Sequence, residues 1–315
     1  MVRPERLLMA RQRPLVERLC RLVAALGDVQ PGEVVEVRSD CGIIRPERLL
    51  IDRQCAPVER FRRREAALAK VWGTEAAWRC VDECLQIRGG RGYETASSRR
   101  QRGESAEPVE RMMRDSRINT IFEGSSEIMR LFIAREALDP HLKKAAGALN
   151  SRLPMGERLK TAARAGLFYA GWYPRQWLPI GPGGLTGMDS KLARHVAWAA
   201  RNSRRLARRL FHSMARYGPK LEREQILLGR YVDIGTDLFA MAATCSRAQS
   251  LLEQGTPREQ VLPLADFFCR ETRLRIRGRF RGVRQNNDRR GYRLARQVLA
   301  DDLLWLESGI VGHWD

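Results

Sequence analysis

The sequence predicts an all-α protein in which one helical bundle is followed by a second helical bundle as an extension. Two observations support this fold class: apolar residues recur at helical spacing through several long segments, and the two-residue alternation typical of strands is nearly absent. The chain has 315 residues and a hydrophobic content of 43%. That is enough to bury a core in one large domain or two modest ones.

Residues 1–60 contain an internal duplication. The segment 3–18 recurs as 45–60, with 11 of 16 positions identical. Two copies are too few for a solenoid, which needs about three repeats to bury a continuous face. Between the copies, residues 33–37 read either as a short strand or as an extended connector. We therefore predict an irregular or helical segment over 1–60 without assigned chemistry.

The first predicted bundle covers residues 61–147. Its opening helix carries Trp72 and Trp78 among good helix formers and is predicted to end at the glycine cluster 89–92. The polar stretch 94–107 has almost nothing to bury and is predicted to be an exposed loop. Pro108 then opens the next helical segment.

A further helix of the first bundle is predicted to begin at the Gly-Ser-Ser of residues 124–126, because Ser is a favoured N-cap residue. The dipeptide Asp139-Pro140 is predicted to end it, since proline removes a backbone donor inside a helix. Trp72, Trp78, Met112 and Met113 are interpreted as core residues of this bundle.

A linker is predicted over 148–188 because the composition shifts there to Pro, Gly and aromatic residues. The second bundle is predicted over 189–306. Its first helix is capped by Asp189 and ends at Gly218-Pro219, a second follows to residue 252, a third begins near 258, and the last covers 291–306.

The net charge is strongly positive, since 57 Lys and Arg face 37 Asp and Glu to give +20. Such an excess favours an anionic partner, although a genome whose codons favour Arg explains it as well. Residues 191–220 and 270–296 carry 18 of the 20 charges. No nucleic-acid motif accompanies them, so we predict no nucleic-acid partner and a peripheral contact with an anionic membrane through 191–220.

Neither a metal site nor a membrane span is predicted. Seven Cys and four His without metal-ligand spacing argue against zinc. No apolar run reaches the roughly 18 residues that a transmembrane helix needs, and the start of the sequence lacks a signal-peptide pattern. The expected location is a bacterial-type cytoplasm with reduced thiols, with a peripheral position at the inner membrane face as the alternative.

Three stretches in the first bundle carry a family resemblance: 86–93 (QIRGGRGY), 108–117 (PVERMMRDSR) and 121–135 (IFEGSSEIMRLFIAR). In order and spacing they resemble the carboxy-terminal helical domain of the FAD-dependent acyl-CoA dehydrogenases, over about 61–142. Residues 154–300 more loosely resemble the extra helical region of the very-long-chain type. The resemblance implies α,β-dehydrogenation of a fatty acyl-CoA. It also implies a homodimer or pairing with a related subunit.

The resemblance places the family's catalytic base at Glu123, with Gly124 allowing close approach of the substrate. The backbone N–H of Glu123 would hold the thioester carbonyl. A general base needs a pKa raised toward the working pH, and we expect Ile121 and Phe122 to desolvate the carboxylate. The helix N-terminus that follows favours the ionised form instead, which leaves the balance open.

The resemblance also implies two groups of FAD contacts. The turn at Gln86, Ile87, Arg88, Gly89 and Gly90 would contact the adenosine diphosphate half of FAD from the neighbouring subunit. The helix start at Ser125, Ser126 and Glu127 would also contact FAD, and Ser125 stands where the family usually has Thr.

The chain departs from the family because residues 1–60 do not resemble its amino-terminal helical domain or its middle β-domain. We therefore expect a truncated or rearranged acyl-CoA dehydrogenase that is inactive alone. Two alternatives are a helical interaction or scaffold subunit that pairs with a full-length dehydrogenase, and a protein that docks on an anionic membrane surface. The sequence predicts no acyl-chain length preference.

Overall fold

The structure is a computed structural model that describes residues 55–149, 152–178, 187–306 and 308, with side chains described in these ranges except for 55–64, 145, 146 and 149. Every regular element in the described residues is helical, which confirms the all-α prediction there. The duplication and the 33–37 segment lie outside these residues, except for 55–60. No described helix combines the length and apolarity needed to cross a membrane.

The first part of the described chain contains α1 (Cys55–Arg88), α2 (Gly90–Tyr93), α3 (Ala96–Gln101), α4 (Val109–Ile118), α5 (Ser126–Leu149) and α6 (Met155–Arg175). The second part contains α7 (Ser190–Tyr217), α8 (Gln225–Glu253), α9 (Arg258–Gly282) and α10 (Asp288–Leu299). Short 3-10 turns cover Gly218–Arg223 and Leu304–Leu306.

Helices α7, α8 and α9 enclose one hydrophobic core. Leu192, Ile234, Met241 and Ile276 are completely buried in it. The Asp189 carboxylate accepts a 2.8 Å hydrogen bond from the Lys191 backbone N–H, and Gly218 ends α7 with a φ of +53°. Both ends of this helix therefore lie where the cap residues predicted them.

A second core joins the two predicted bundles. Val71 of α1, Ile133 of α5 and Tyr231 of α8 are buried together in it. Arg130 of α5 binds Glu75 of α1 at 2.7 Å and Asp233 of α8 at 2.8 Å. The first bundle thus packs directly on the second, and apolar contacts and ion pairs hold the elements that position the candidate site.

The segment 148–188, predicted as a linker, contains the 21-residue helix α6. Pro154 is its N-cap residue, where the missing N–H removes no helical hydrogen bond, and Pro174 lies in its last turn, so the helix ends one residue later. Its aromatic residues pack in a cluster with α5 and α7; the cluster contains His141, Tyr169, Trp172, Tyr173 and Phe211. The prediction of a linker is therefore wrong over α6, because the aromatic residues of this segment belong to a packed helix.

Two further local predictions are wrong. Helix α5 was predicted to end at Asp139-Pro140, but it continues through Pro140 to Leu149, because α6 packs alongside it and His141 stacks on Tyr169.

The stretch 94–107 was predicted to be an exposed loop, but it includes α3, whose N-cap Thr95 accepts a hydrogen bond from the Ser98 backbone N–H. Arg99 of α3 is buried near Glu104, so this segment carries a buried ion pair that its polar composition concealed.

Candidate active-site loop and glycine turn

The loop between α4 and α5 holds Glu123. The backbone N–H groups of Ile121 and Phe122 both donate to the Ile118 carbonyl, at 2.9 and 3.0 Å. The Ser126 N–H donates to the Thr120 carbonyl at 3.1 Å, which closes the loop at the start of α5. These bonds fold the chain into a compact turn with Glu123 near its tip.

Glu123 and Gly124 both have left-handed backbone conformations, with φ of +52° and +93°. For Gly124 the conformation is unstrained, and a Cβ there would lie 2.9 Å from the Met129 sulfur. For a residue with a side chain it costs about 1–2 kcal/mol. The loop therefore stores backbone strain at the residue that the sequence singles out as the base, a pattern typical of functional sites.

The side chain of Lys70, on α1, binds this loop. Its ammonium group donates to the Phe122 carbonyl at 3.0 Å and also to the Gly124 carbonyl. The Phe122 carbonyl belongs to the peptide unit that carries the Glu123 N–H, so one side chain fixes that peptide unit and the one that follows Gly124. Lys70 is thus a positioning residue for the loop.

The expected apolar pocket around Glu123 does not form within the described residues. Ile121 and Phe122 are 51% and 44% exposed, and Glu123 is exposed as well. The loop turns backbone carbonyls toward α1, and the three side chains remain open to solvent. Desolvation of this carboxylate therefore requires a covering surface beyond the described residues.

The start of α5 is capped by a side chain of the same segment. The Ser125 hydroxyl accepts a 3.4 Å hydrogen bond from the Ile128 N–H, and Ser126 is buried. Glu127 is exposed, and its own backbone N–H, followed by the Ser125 hydroxyl, lowers the pKa of its carboxyl. Of the three residues predicted to contact FAD here, Glu127 and part of Ser125 face solvent.

The turn that follows α1 presents open backbone. Gly89 has a φ of +58°, and a Cβ at Gly89 or Gly90 would meet no atom within 4 Å. Gly92 is instead packed, because a Cβ there would lie 2.6 Å from the Leu85 carbonyl oxygen. Gln86 and Ile87 are exposed beside this turn, so a ligand can approach the backbone of residues 89–90 closely.

Arg88 forms an ion pair with another residue of the same chain. Its guanidinium donates to the Glu107 carboxylate at 2.8 Å. The Ser105 hydroxyl, and then Arg88, lower the pKa of Glu107 to about 2. Arg88 therefore fixes the glycine turn against the segment before α4, and its charge is largely balanced there.

The loop and the turn are separate surfaces. Lys70, which contacts the Glu123 loop, and Arg88, which precedes the turn, are both on α1, and 18 residues at 1.5 Å each place them roughly 27 Å apart along its axis. The two groups of candidate residues therefore do not line one pocket in one chain. This spacing is compatible with the expectation that the turn serves a neighbouring subunit's FAD.

Sequence reasoning missed Lys70 and Met129. Lys70 is one of only six Lys beside 51 Arg, which marks it as unusual but does not reveal its partners. Its acceptors lie 52 and 54 positions away. Only the packing of α1 against the loop brings these groups together.

Comparison with known protein families assigns both bundles. Residues 50–138 match the family model described as the acyl-CoA dehydrogenase C-terminal domain, and residues 190–304 match the ACAD9/ACADV C-terminal domain. The chain belongs to the acyl-CoA dehydrogenase family. Both resemblances predicted from sequence, the family and its very-long-chain type, are confirmed at this level.

Proteins similar to this chain include two longer members of the family. Probable acyl-CoA dehydrogenase FadE10 of Mycobacterium tuberculosis is 48% identical over 247 residues, which is 77% of this chain and 38% of FadE10. The human mitochondrial very long-chain specific acyl-CoA dehydrogenase is 36% identical over 216 residues, 66% of this chain and 30% of the relative. The chain thus spans well under half the length of these relatives.

A solved structure of an acyl-CoA dehydrogenase complexed with FAD from Bacillus anthracis is also similar. It is 26% identical, with a TM-score of 0.48, over 73% of this chain and 35% of that one.

The strain at the acyl-CoA dehydrogenase loop predicts a stabilising substitution. We expect Glu123→Gly to raise the free energy of unfolding by about 1 kcal/mol, because glycine adopts the observed φ of +52° without steric cost. Glu123→Ala removes the carboxylate but keeps a Cβ, so it should bring no such gain. Chemical denaturation of both variants measures the difference. A Gly variant less stable than the Ala variant would show that the loop is unstrained, because the greater flexibility of glycine in the unfolded chain would then act alone.

Proposed function

We propose that this chain supplies the catalytic base for FAD-dependent α,β-dehydrogenation of a fatty acyl-CoA. Glu123 removes the α-proton of the thioester substrate, and FAD, when bound, supplies the acceptor for the β-hydrogen. The observation that carries the proposal is the strained loop at Glu123, held by Lys70 within a region that matches the family's carboxy-terminal domain. Backbone strain at an acidic residue within the family's sequence motif is typical of a site retained for chemistry.

Two features of the proposed site suit the substrate. A Cβ at the left-handed Gly124 would lie 2.9 Å from the Met129 sulfur, so glycine keeps the loop in the conformation that exposes Glu123 to a substrate. Lys70 binds carbonyl oxygens on both sides of Glu123 and restricts the orientation of its peptide N–H, which the proposal assigns to the thioester carbonyl.

The open backbone of the glycine turn supports its assignment to a diphosphate group. Gly89 and Gly90 offer open backbone, and Gln86 is exposed at the preceding helix end. We assign residues 86–90 to the adenosine diphosphate half of FAD bound mainly by another subunit, and Ser125 and Glu127 to FAD at the loop. Ser126 is buried and its backbone N–H donates to the Thr120 carbonyl, so we assign it to positioning the loop.

A covering partner completes the proposed site. Apolar side chains are exposed near both surfaces, and they are Ile87, Tyr93, Ile118, Ile121, Phe122 and Ile128. Each of the two surfaces exposes its own apolar side chains, and such clusters favour a protein interface. We therefore propose a homodimer or a pair with a related full-length subunit, and we expect the isolated chain to be inactive because nothing in its described part excludes water from Glu123.

A chimera tests the assigned base directly. Residues 61–306 would replace the corresponding region of FadE10, to which the chain is 48% identical over the shared 247 residues. We expect the chimera to reduce FAD in the presence of palmitoyl-CoA, and Glu123→Gln to lower that rate at least about 10³-fold, within the range for loss of an essential base. Glu157→Gln, at an exposed glutamate of α6, is the matched control.

The outcome of the chimera experiment is unambiguous. A folded chimera that reduces FAD equally well with and without the Glu123 carboxylate would remove Glu123 as the base. Turnover by the isolated chain with added FAD would instead reject its predicted inactivity. Co-purification of the isolated chain with a full-length dehydrogenase, without any gain in turnover, would favour the alternative of an interaction or scaffold subunit.

The membrane contact through 191–220 is a second proposal, together with a cytoplasmic location or a peripheral one at the inner membrane face. Lys191, Arg194 and Arg201 are exposed and available. Other cations of the segment are occupied, because Arg204 donates to the Leu178 carbonyl at 2.7 Å and Arg208 lies 3.9 Å from the Trp177 ring centre. Absence of flotation with phosphatidylglycerol vesicles at low salt would reject this contact.

A further inference from the structure

A cationic groove lies on the second bundle, away from Glu123 and the glycine turn. It encloses about 750 Å³ between the end of α7, the start of α8, the end of α9 and the first turns of α10. Six arginines line it: Arg209, Arg216, Arg284, Arg289, Arg290 and Arg293. The volume is in the usual range for sites that hold small ligands.

The arginines of the groove lack anionic partners among the described residues. No ion pair in that part of the chain involves any of the six. The lining includes only two carboxylates, and Asp288 is already bound by Arg230, with an N–O distance of 2.6 Å. Glu224 is the single other acid, so positive charge exceeds negative charge several-fold in the groove.

Two contacts fix α10 beside the groove. The Arg230–Asp288 pair holds the first residue of α10 to α8, and the Tyr292 hydroxyl accepts a 3.3 Å hydrogen bond from the Ile226 N–H. The rest of α10 is almost fully exposed. Its first two turns are therefore anchored where Arg289, Arg290 and Arg293 line the cavity, so the cluster is a fixed feature of the fold.

Crowding of like charges at this place opposes folding. Burial, and then the neighbouring Arg209, Arg208 and Arg284, lower the pKa of Arg205, which lies next to the groove on α7. Guanidinium groups held close together without carboxylates repel one another, and this repulsion is relieved when an anion binds between them. Phosphate oxygens match the planar donor fork of Arg in a bidentate geometry.

We propose that this groove is a binding site for a phosphoryl anion, either a soluble polyphosphate or phosphate ester or the headgroup of an anionic lipid. The arginines come from α7, from the turn between α9 and α10, and from α10, so they surround the cavity and do not form a stripe along one helix. The site uses none of the residues assigned to substrate or FAD. It can therefore be tested independently of the proposed dehydrogenase function.

The test uses the full chain and sodium tripolyphosphate at constant ionic strength. A ligand that binds only the folded state raises the melting temperature in a saturable way, and we expect a shift on the order of 2 °C or more at saturation. The double variant Arg290→Glu/Arg293→Glu should lose at least about tenfold in affinity, as expected when two charge-assisted contacts are reversed. Both residues are exposed, so the variant should fold.

The matched control is Arg281→Glu/Arg296→Glu. These arginines are exposed on α9 and α10, change the net charge by the same amount, and do not line the groove. Retained binding in the control and lost binding in the groove variant support the site. Equal loss in both variants would show diffuse attraction of polyanions and overturn it, as would the absence of any saturable shift in the unmodified chain.

Vesicles distinguish the two sources of the phosphoryl group. Flotation with phosphatidylglycerol vesicles that requires Arg290 and Arg293, and that tripolyphosphate competes away, would identify the lipid headgroup as the ligand. Saturable tripolyphosphate binding without flotation would identify a soluble phosphate compound. Flotation that the groove variant retains, together with no tripolyphosphate shift, would reject the groove.

Discussion

Tyr231→Ala is expected to lower the free energy of unfolding by about 3–5 kcal/mol, as for other large aromatic truncations in a packed core. Tyr231 is 5% exposed and is buried with Val71 of α1 and Ile133 of α5. Its hydroxyl lies 2.7 Å from that of Ser213, which gives it a polar partner in this core. The substitution would therefore leave a cavity between the two bundles and an unpaired hydroxyl.

Tyr231→Phe is the matched control, because it keeps the ring and removes only the hydroxyl. We expect it to cost about 1–2 kcal/mol, because the hydroxyl bonds to that of Ser213 and donates to the Arg209 carbonyl at 3.3 Å, and each such bond contributes about 1 kcal/mol. Denaturant unfolding should be followed by both circular dichroism and tryptophan fluorescence. Coincident transitions that shift together are expected if the core is shared, whereas two separate transitions with only one shifted would show that the bundles unfold independently.

The local features of the fold could be predicted from sequence because they depend on neighbouring residues. Gly89 ends α1, Pro108 precedes α4, and Asp189 and Gly218 bound α7, each where its side chain or backbone freedom indicates. The same logic failed at Pro140. There the packing of α6 against α5 outweighs the local penalty of proline, and packing is not encoded in the residues next to it.

The joint core of the two bundles could not be predicted, because its contacts join distant parts of the chain. Arg130 binds an aspartate 103 positions later, and no helical period records that pairing. The aromatic residues of 148–188 were read as a linker for a related reason. Their role became visible only once His141 and Phe211, from helices on either side, were placed against them.

In the candidate site, too, the sequence motif could be predicted but the surroundings of the side chains could not. The motif around Glu123 led to the acyl-CoA dehydrogenase family from residues alone, and the family is confirmed. The sequence left open whether the Glu123 carboxylate is desolvated, and within the described residues Ile121 and Phe122 are adjacent to it in sequence but do not cover it. Desolvation depends on what packs over a group from elsewhere, so adjacent apolar residues cannot supply it by themselves.

A second large effect is expected at a buried ion pair. Asp237 of α8 is buried, with its side chain 4% exposed, and Arg279 of α9 donates to it at 2.6 Å. Arg279→Met should lower the free energy of unfolding by about 3 kcal/mol at pH 7, because it leaves a buried carboxylate short of its main partner. Arg275→Met is the control, since Arg275 is more exposed and lies 3.5 Å from the same carboxylate, and its loss should cost less.

The pH dependence separates lost charge pairing from lost packing. Burial raises the pKa of Asp237 above its ordinary 3.8, while Arg279 and Arg275 oppose this rise and Asp233 adds to it. The folded state therefore retains a proton that the unfolded state has released, and stability from this group falls as the pH rises through that interval. Without Arg279 the pKa of Asp237 rises further, so the stability lost in the Arg279→Met variant should be largest at pH 7 and smaller as the pH is lowered toward 3.8.

A loss of stability that stays constant over that pH range would assign it to the packing of the Arg279 side chain. Adding Asp237→Asn to Arg279→Met should then restore no stability. If the charge is responsible, the double variant should recover part of the lost stability at pH 7, because the unpaired carboxylate is gone.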